Sequence, residues 1–145
     1  FIREAMFDLD AAGLDRLNPN CRIYQEIARI AGVFHTQPAL RFGRMYFREI
    51  SGNGRDFGLP EGHPCTLAFS RILANDEVLV AYNTSTTDQR ADFVLVDDTL
   101  HRGGDTMTFL YGGRGTVTVQ DHPDPGNPSR FIQLPLAPMQ FVILR

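Results

Sequence analysis

Apolar and polar positions change period once along this chain. Ile23, Tyr24, Ile27, Ile30, Ala31 and Phe34 fall on one face of a helix, and Arg22, Gln25, Glu26 and Arg29 fall largely opposite. That spacing predicts an amphipathic helix whose apolar stripe needs a covering surface. Asn18-Pro19-Asn20 reads as its start, with Asn18 capping free N–H groups and Pro19 at the first helical position, where it gives up no hydrogen bond. Gly32 either ends this helix or is tolerated within it. Thr36-Gln37-Pro38 can open one more helical turn, through Leu40, which Gly43 stops. Residues 11–17 read as a short helix or turn interrupted by Gly13.

From Arg44 onward the apolar residues come in short runs broken by Gly, Pro, Asn and Asp. Strands are expected over residues 44–50, 66–72, 77–83, 91–96, 105–111, 115–119, 131–134 and 139–144, the last two split by Pro135 and Pro138. Leu73-Ala74-Asn75-Asp76 is the turn of a hairpin. Val78, Leu79, Val80, Ala81 and Tyr82 are apolar on both faces, which suits a mid-sheet strand covered on both sides. Roughly eight strands recur at the spacing typical of sandwiches and barrels, and no helical pattern separates them. The expectation is a mainly β fold: an antiparallel β-sandwich of the Greek-key type, preceded by one or two N-terminal helices. The stretch 38–50 is the hinge between the two periods.

Composition narrows the class. A chain of 145 residues fits one domain with an appendage, and it buries enough surface to need no staples. No apolar run approaches the length of a membrane span, so no membrane is expected as a partner. A net charge of −3 argues against a nucleic-acid surface. All 14 basic residues are arginine. The first residue is Phe1, not Met, and the chain is expected to be a piece of a longer one.

No catalytic or metal motif stands out. Cys21 and Cys65 lack C-x-x-C spacing and read as buried free thiols, a single bridge being the alternative. His35, His63, His101 and His122 are scattered, so no metal or other cofactor is expected. Gly112-Gly113-Arg114-Gly115 lacks the Lys-Ser/Thr and helix of a phosphate loop, and it reads as a turn. Ser51, Ser70, Ser85 and Ser129 have no G-x-S-x-G context, and the glycosylation triplet Asn83-Thr84-Ser85 reads as chance. Asp97 and Asp98 are adjacent and face opposite ways on a strand, Asp98 entering a turn with Thr99. Glu4, Asp8 and Asp10 lie close in sequence; like the other carboxylates they read as solvated or capping groups. Sugar modules stack pyranose rings on exposed aromatics. With no Trp, Tyr24 on the helix stripe and Tyr82 in the covered strand, Tyr46 and Tyr111 are the candidate sugar-binding residues.

A colinear series carries a resemblance. Arg3-Glu4-Ala5-Met6-Phe7, Ile23-Tyr24, Ala39-Leu40-Arg41-x-Gly43-Arg44, Arg48-Glu49-Ile50-Ser51, Ser70-Arg71-Ile72-Leu73, Glu77-Val78-Leu79-Val80 and Asn83-Thr84 occur in this order. Together they resemble the C-terminal region of the α-amylase family, glycoside hydrolase family 13. The match runs to about Tyr111. The resemblance implies that residues 1–40 follow the last strand of a (β/α)8 barrel, and that 41–145 form the C-terminal antiparallel β domain packed on it. Such enzymes cleave or transfer α-glucosidic bonds with carboxylates on barrel strands. Those strands would lie upstream of Phe1, and no residue here matches the family's catalytic motifs. The expected function is therefore non-catalytic: a β domain that packs against and stabilises its own upstream barrel. The alternative is a module that itself holds α-glucan. Glu4, which the resemblance places near the barrel rim, is the one carboxylate to keep in view. Cut from the barrel, the helix stripe of Ile23, Ile27, Ile30 and Phe34 either folds onto the β domain or pairs with a second copy, giving a homodimer through the helix face.

Overall fold

The computed structural model describes residues 18–145. The short helix or turn expected over 11–17, and Glu4, Asp8 and Asp10, lie outside the described residues. The chain divides into two compact units, Phe1–Thr36 and Gln37–Arg145.

In the first unit, helix α1 spans Arg22–Thr36. It begins later than the Asn-Pro-Asn signal suggests. Asn18 instead closes a turn, its Oδ1 accepting from the Asn20 N–H at 2.9 Å and its carbonyl from the Cys21 N–H at 2.8 Å. The Cys21 carbonyl then accepts the first helical bond, from the Gln25 N–H. Pro19 sits in that turn and is not the first helical residue. Gly32 is carried inside the helix. Ile23, Tyr24, Ile27 and Phe34 are all exposed. No described helix is long and apolar enough to cross a membrane.

The second unit opens with a short helix α2, Pro38–Phe42, with proline in its first turn and Gly43 as its cap. Gly43 is needed for closeness, not for an unusual φ. A Cβ there would meet the Ala39 carbonyl oxygen at 2.5 Å and the Ile72 carbonyl oxygen at 2.8 Å.

Ten strands follow: β1 Arg44–Phe47, β2 Ile50–Ser51, β3 Thr66–Leu73, β4 Asp76–Asn83, β5 Arg90–Val96, β6 Thr106–Tyr111, β7 Thr116–Thr118, β8 Gln120–Asp121, β9 Arg130–Leu136 and β10 Phe141–Leu144. All pair antiparallel, in a six-stranded sheet ordered β1-β3-β4-β10-β6-β7 and a four-stranded sheet ordered β2-β5-β9-β8. The expected antiparallel sandwich is thus present, and its non-sequential neighbours come from Greek-key-like connections between sheets. One expected strand is divided: the run 44–50 breaks where the chain crosses from β1 in the larger sheet to β2 in the smaller. The run 115–119 holds β7 alone, and the chain then crosses to the smaller sheet in β8, just beyond it. Another runs longer: β9 continues through Pro135, which pairs with Ala91 of β5. Its other neighbour, β8, reaches only Arg130 and Phe131, so the missing N–H falls on an open edge.

Alternation along the strands builds the core. Ala68, Leu79, Ala81, Met107, Val142 and Leu144 from the larger sheet meet Val94, Val96, Ile132, Leu134 and Leu136 from the smaller. Strand β4 is covered on both sides as its pattern predicts: Leu79 and Ala81 face the core, and Val78 and Val80 are buried on the outer side, where α2 packs. The Gly-rich stretch 112–115 is the turn between β6 and β7. Gly112 there has φ +76, and a Cβ would collide with the Phe141 carbonyl oxygen.

Candidate functional site

The two outer faces of the sandwich differ. On the four-stranded sheet, the loop after β2 folds back over the surface. Its Phe57 ring lies 5.3 Å from that of Phe131, which meets Phe93 edge-on at 5.4 Å. Beyond this aromatic cover the face ends in exposed Ala91, Gln133 and Pro135. On the outer side of the six-stranded sheet, α2 packs against β3 and β4. Around it Phe42 (67% exposed), Met45 (49%) and Phe47 (59%) project, with Leu67 and Leu73 exposed farther along β3. The register sets Phe47, Phe69, Val80 and Ile143 in one row across this face, and Leu67, Tyr82 and Phe141 in the next. Val80 and Ile143 in these rows are buried, so the exposed apolar groups of this face are Phe42, Met45 and Phe47 at the corner and Leu67 and Leu73 along β3. Grouped exposed apolar side chains of this kind mark a place for another surface to pack.

The sequence-predicted tyrosines occupy opposite parts of the larger sheet. Tyr46 is on edge strand β1, 43% exposed, with the Arg48 guanidinium 5.9 Å from its ring centre. Tyr111 ends β6, half-buried, its ring 5.9 Å from that of Phe141. Strands β3, β4 and β10 lie between them. Their registers also differ: Tyr46 pairs with core-facing Ser70, and Tyr111 with outward-facing Ile143. They do not share one sugar-binding platform.

Among the described residues the most perturbed titratable group is Glu77, which the sequence did not single out. Its side chain is sealed from solvent at the start of β4. The Ser70 hydroxyl donates to it, as do the Arg48 guanidinium at 2.6 Å and the Asp97 N–H at 2.9 Å, and His101 Nε2 lies 2.9 Å away. Burial alone would raise its pKa. The bonds from His101, Arg48, Ser70 and Asp97 outweigh that and hold it down at about 2. Arg48 also donates to Ser70 and lies 3.7 Å from Asp97. The cluster ties the β1–β2 link, β3, β4 and the loop after β5 together. A carboxylate with no solvent access cannot reach a substrate, so its role is to hold these elements in place.

A second ionic group is also structural. Asp92 accepts from Thr66 and Arg90, both at 2.6 Å, and the bond to Asp92 raises the Arg90 pKa. Asp97 accepts from the Thr99 N–H and hydroxyl and so caps the turn in which Asp98, exposed, lies. Asn83 is buried, its amide donating toward the carbonyls of Asp88, Leu136 and Ala137, so the glycosylation triplet has no accessible acceptor. Cys21 and Cys65 are free, and half-buried where full burial was expected. Cys65 opens the segment before β3, its N–H bonded to the Thr84 hydroxyl. His122 is buried with Nε2 3.0 Å from the Arg55 carbonyl, and His35, His63 and His101 lie elsewhere. Among the described residues no three His, Cys, Asp or Glu side chains are grouped to hold a metal ion.

No protein-family model matches this chain, and no curated protein matches it either.

Proposed function

We propose that this chain is the non-catalytic C-terminal β domain of an α-amylase-like glycoside hydrolase or transglycosylase acting on α-glucans. In that role it packs against its upstream catalytic barrel and stabilises it. The observation that supports this reading is the asymmetry of the sandwich: one outer face is partly covered by the loop after β2, while the other carries exposed Phe42, Met45 and Phe47 beside α2. The colinear residues quoted above supply the barrel as the partner. On this reading the enzyme's chemistry belongs to the barrel, and the most strongly shifted carboxylate here, Glu77, is sealed as a strut. When the chain is isolated, the exposed stripe of α1 pairs with a second copy.

A second reading is a module that holds α-glucan itself. The exposed ring of Tyr46 beside Arg48 favours it. One pair of assays separates the two. Incubated with insoluble starch and spun down, the isolated chain stays in the supernatant if it is a packing domain, and co-sediments if it is a glucan module. Glucan cleavage by the isolated chain would overturn the non-catalytic reading.

A further inference from the structure

We infer that His122 is a proton-operated joint: on protonation its Nδ1 exchanges the Asp124 backbone N–H for the Asp124 carboxylate, and the loop after β8 changes shape around the cavity it lines. This stands apart from the packing role proposed above and involves the β unit alone. The His122 side chain is only 2% exposed, and both of its ring nitrogens are engaged. Nε2 lies 3.0 Å from the Arg55 carbonyl, which can only accept, so Nε2 carries the hydrogen. Nδ1 accepts from the Asp124 N–H at 3.1 Å, so Nδ1 holds a lone pair. The surroundings therefore select one neutral tautomer. Through it the imidazole pins two segments at once: the loop after β2, by way of Arg55, and residues 122–129, by way of Asp124. The Phe57 ring lies 6.2 Å from the imidazole.

A proton can enter only at Nδ1. An N–H there faces the Asp124 N–H, and two donors cannot share one bond. An acceptor is already at hand. Asp124 Oδ2 is 3.8 Å from Nδ1, too far for a hydrogen bond but near enough for a small turn of the chain to make one. The bond from a cationic ring to a carboxylate is stronger than the neutral bond it replaces. Nε2 keeps the Arg55 carbonyl, so the loop after β2 stays anchored while residues 122–129 move.

The other charges nearby leave this exchange open. The Arg55 guanidinium lies 3.7 Å from Asp124 and competes for it, but both groups are well exposed, and such pairs are weak. Asp56, on the same loop as Arg55, accepts from Asn53, and Asp121 is paired with Arg130 at 2.8 Å, so neither is drawn in. Asp121, His122, Pro125, Asn127, Pro128 and Arg130 line an open polar cavity of about 310 Å³. Pro125, Asn127 and Pro128 belong to the segment that moves, so the proton resets one wall of that cavity.

The test is an NMR titration of the 145-residue chain between about pH 8 and pH 5, above the range in which Glu77 gives up its charge. At the upper end the ring nitrogen shifts should report hydrogen on Nε2. On acidification the Asp124 amide proton should move upfield with the same midpoint as the ring, and the Gly126 and Asn127 amides should shift with it. Asp124→Asn keeps the backbone N–H but removes the carboxylate, and should lower that midpoint by about 0.5 pH unit. Arg55→Gln removes the competing cation and should raise it. Hydrogen on Nδ1 at the upper end, a ring that stays neutral throughout, or an Asp124 amide indifferent to the ring's titration overturns the joint. So does a midpoint that fails to fall in Asp124→Asn or that falls in Arg55→Gln.

Discussion

Glu77 gathers four donors at one buried carboxylate, and its value to the fold depends on pH in a definite direction. Its folded pKa of about 2 lies below the ordinary 4.5. Its contribution is therefore complete above pH 4.5 and is lost as pH falls from 4.5 towards 2. A difference of that size corresponds to roughly 3 kcal/mol. Glu77→Gln should cost roughly 3 kcal/mol in urea unfolding near neutral pH, since the Arg48 guanidinium loses the buried carboxylate it pairs with. The gap between wild type and variant should close near pH 2; a gap that persists there contradicts this account. None of this cluster was legible in the sequence. Arg48, Ser70, His101 and Asp97 come from separate elements, and only the folded sheet register brings them to Glu77. The same holds for Asn83, whose amide reaches β9 from the end of β4.

Elements were more legible than residues, for a physical reason. The helix period, the double-sided apolar run of β4 and the glycine turn after β6 are local properties, and each is found where the pattern predicts it. What the pattern missed are events set by the partner sheet. It could not show the chain crossing sheets after Phe47 and after Thr118. Nor could it show that Pro135 faces an edge without a strand. The placement of α1 shifted because the Asn18 turn uses groups that a cap would have used. At Gly43 the sequence and the structure agree on the stop, and the structure supplies the reason. The tight approach of α2 to β3 leaves no room for a side chain. Gly43→Ala should therefore destabilise the β unit by about 1–3 kcal/mol in chemical denaturation. A neutral effect would mean that the α2–β3 contact yields easily. Leu40, buried in α2, seals this contact, while Phe42 points outward into the open corner.

On the scale of the molecule, apolar surface is distributed unevenly. The β unit covers part of one face with its own loop, and α1 bears exposed Ile23, Tyr24, Ile27 and Phe34. If that stripe pairs copies of the isolated chain, sedimentation velocity should show a dimer growing with concentration, and Ile27→Glu should return it to a monomer with its β-sheet circular dichroism unchanged. A wild-type chain that stays monomeric throughout would dismiss the pairing.

The sheet order has one more consequence, for the chain during its synthesis. β10 lies between β4 and β6, yet it is translated long after both. Until residue 144 has cleared the ribosome, β4 and β6 each keep an open edge where β10 belongs. The six-stranded sheet therefore cannot close vectorially as the chain emerges. The nascent polypeptide must carry two half-built pieces, β1-β3-β4 and β6-β7, and shield their edges until one late strand joins them.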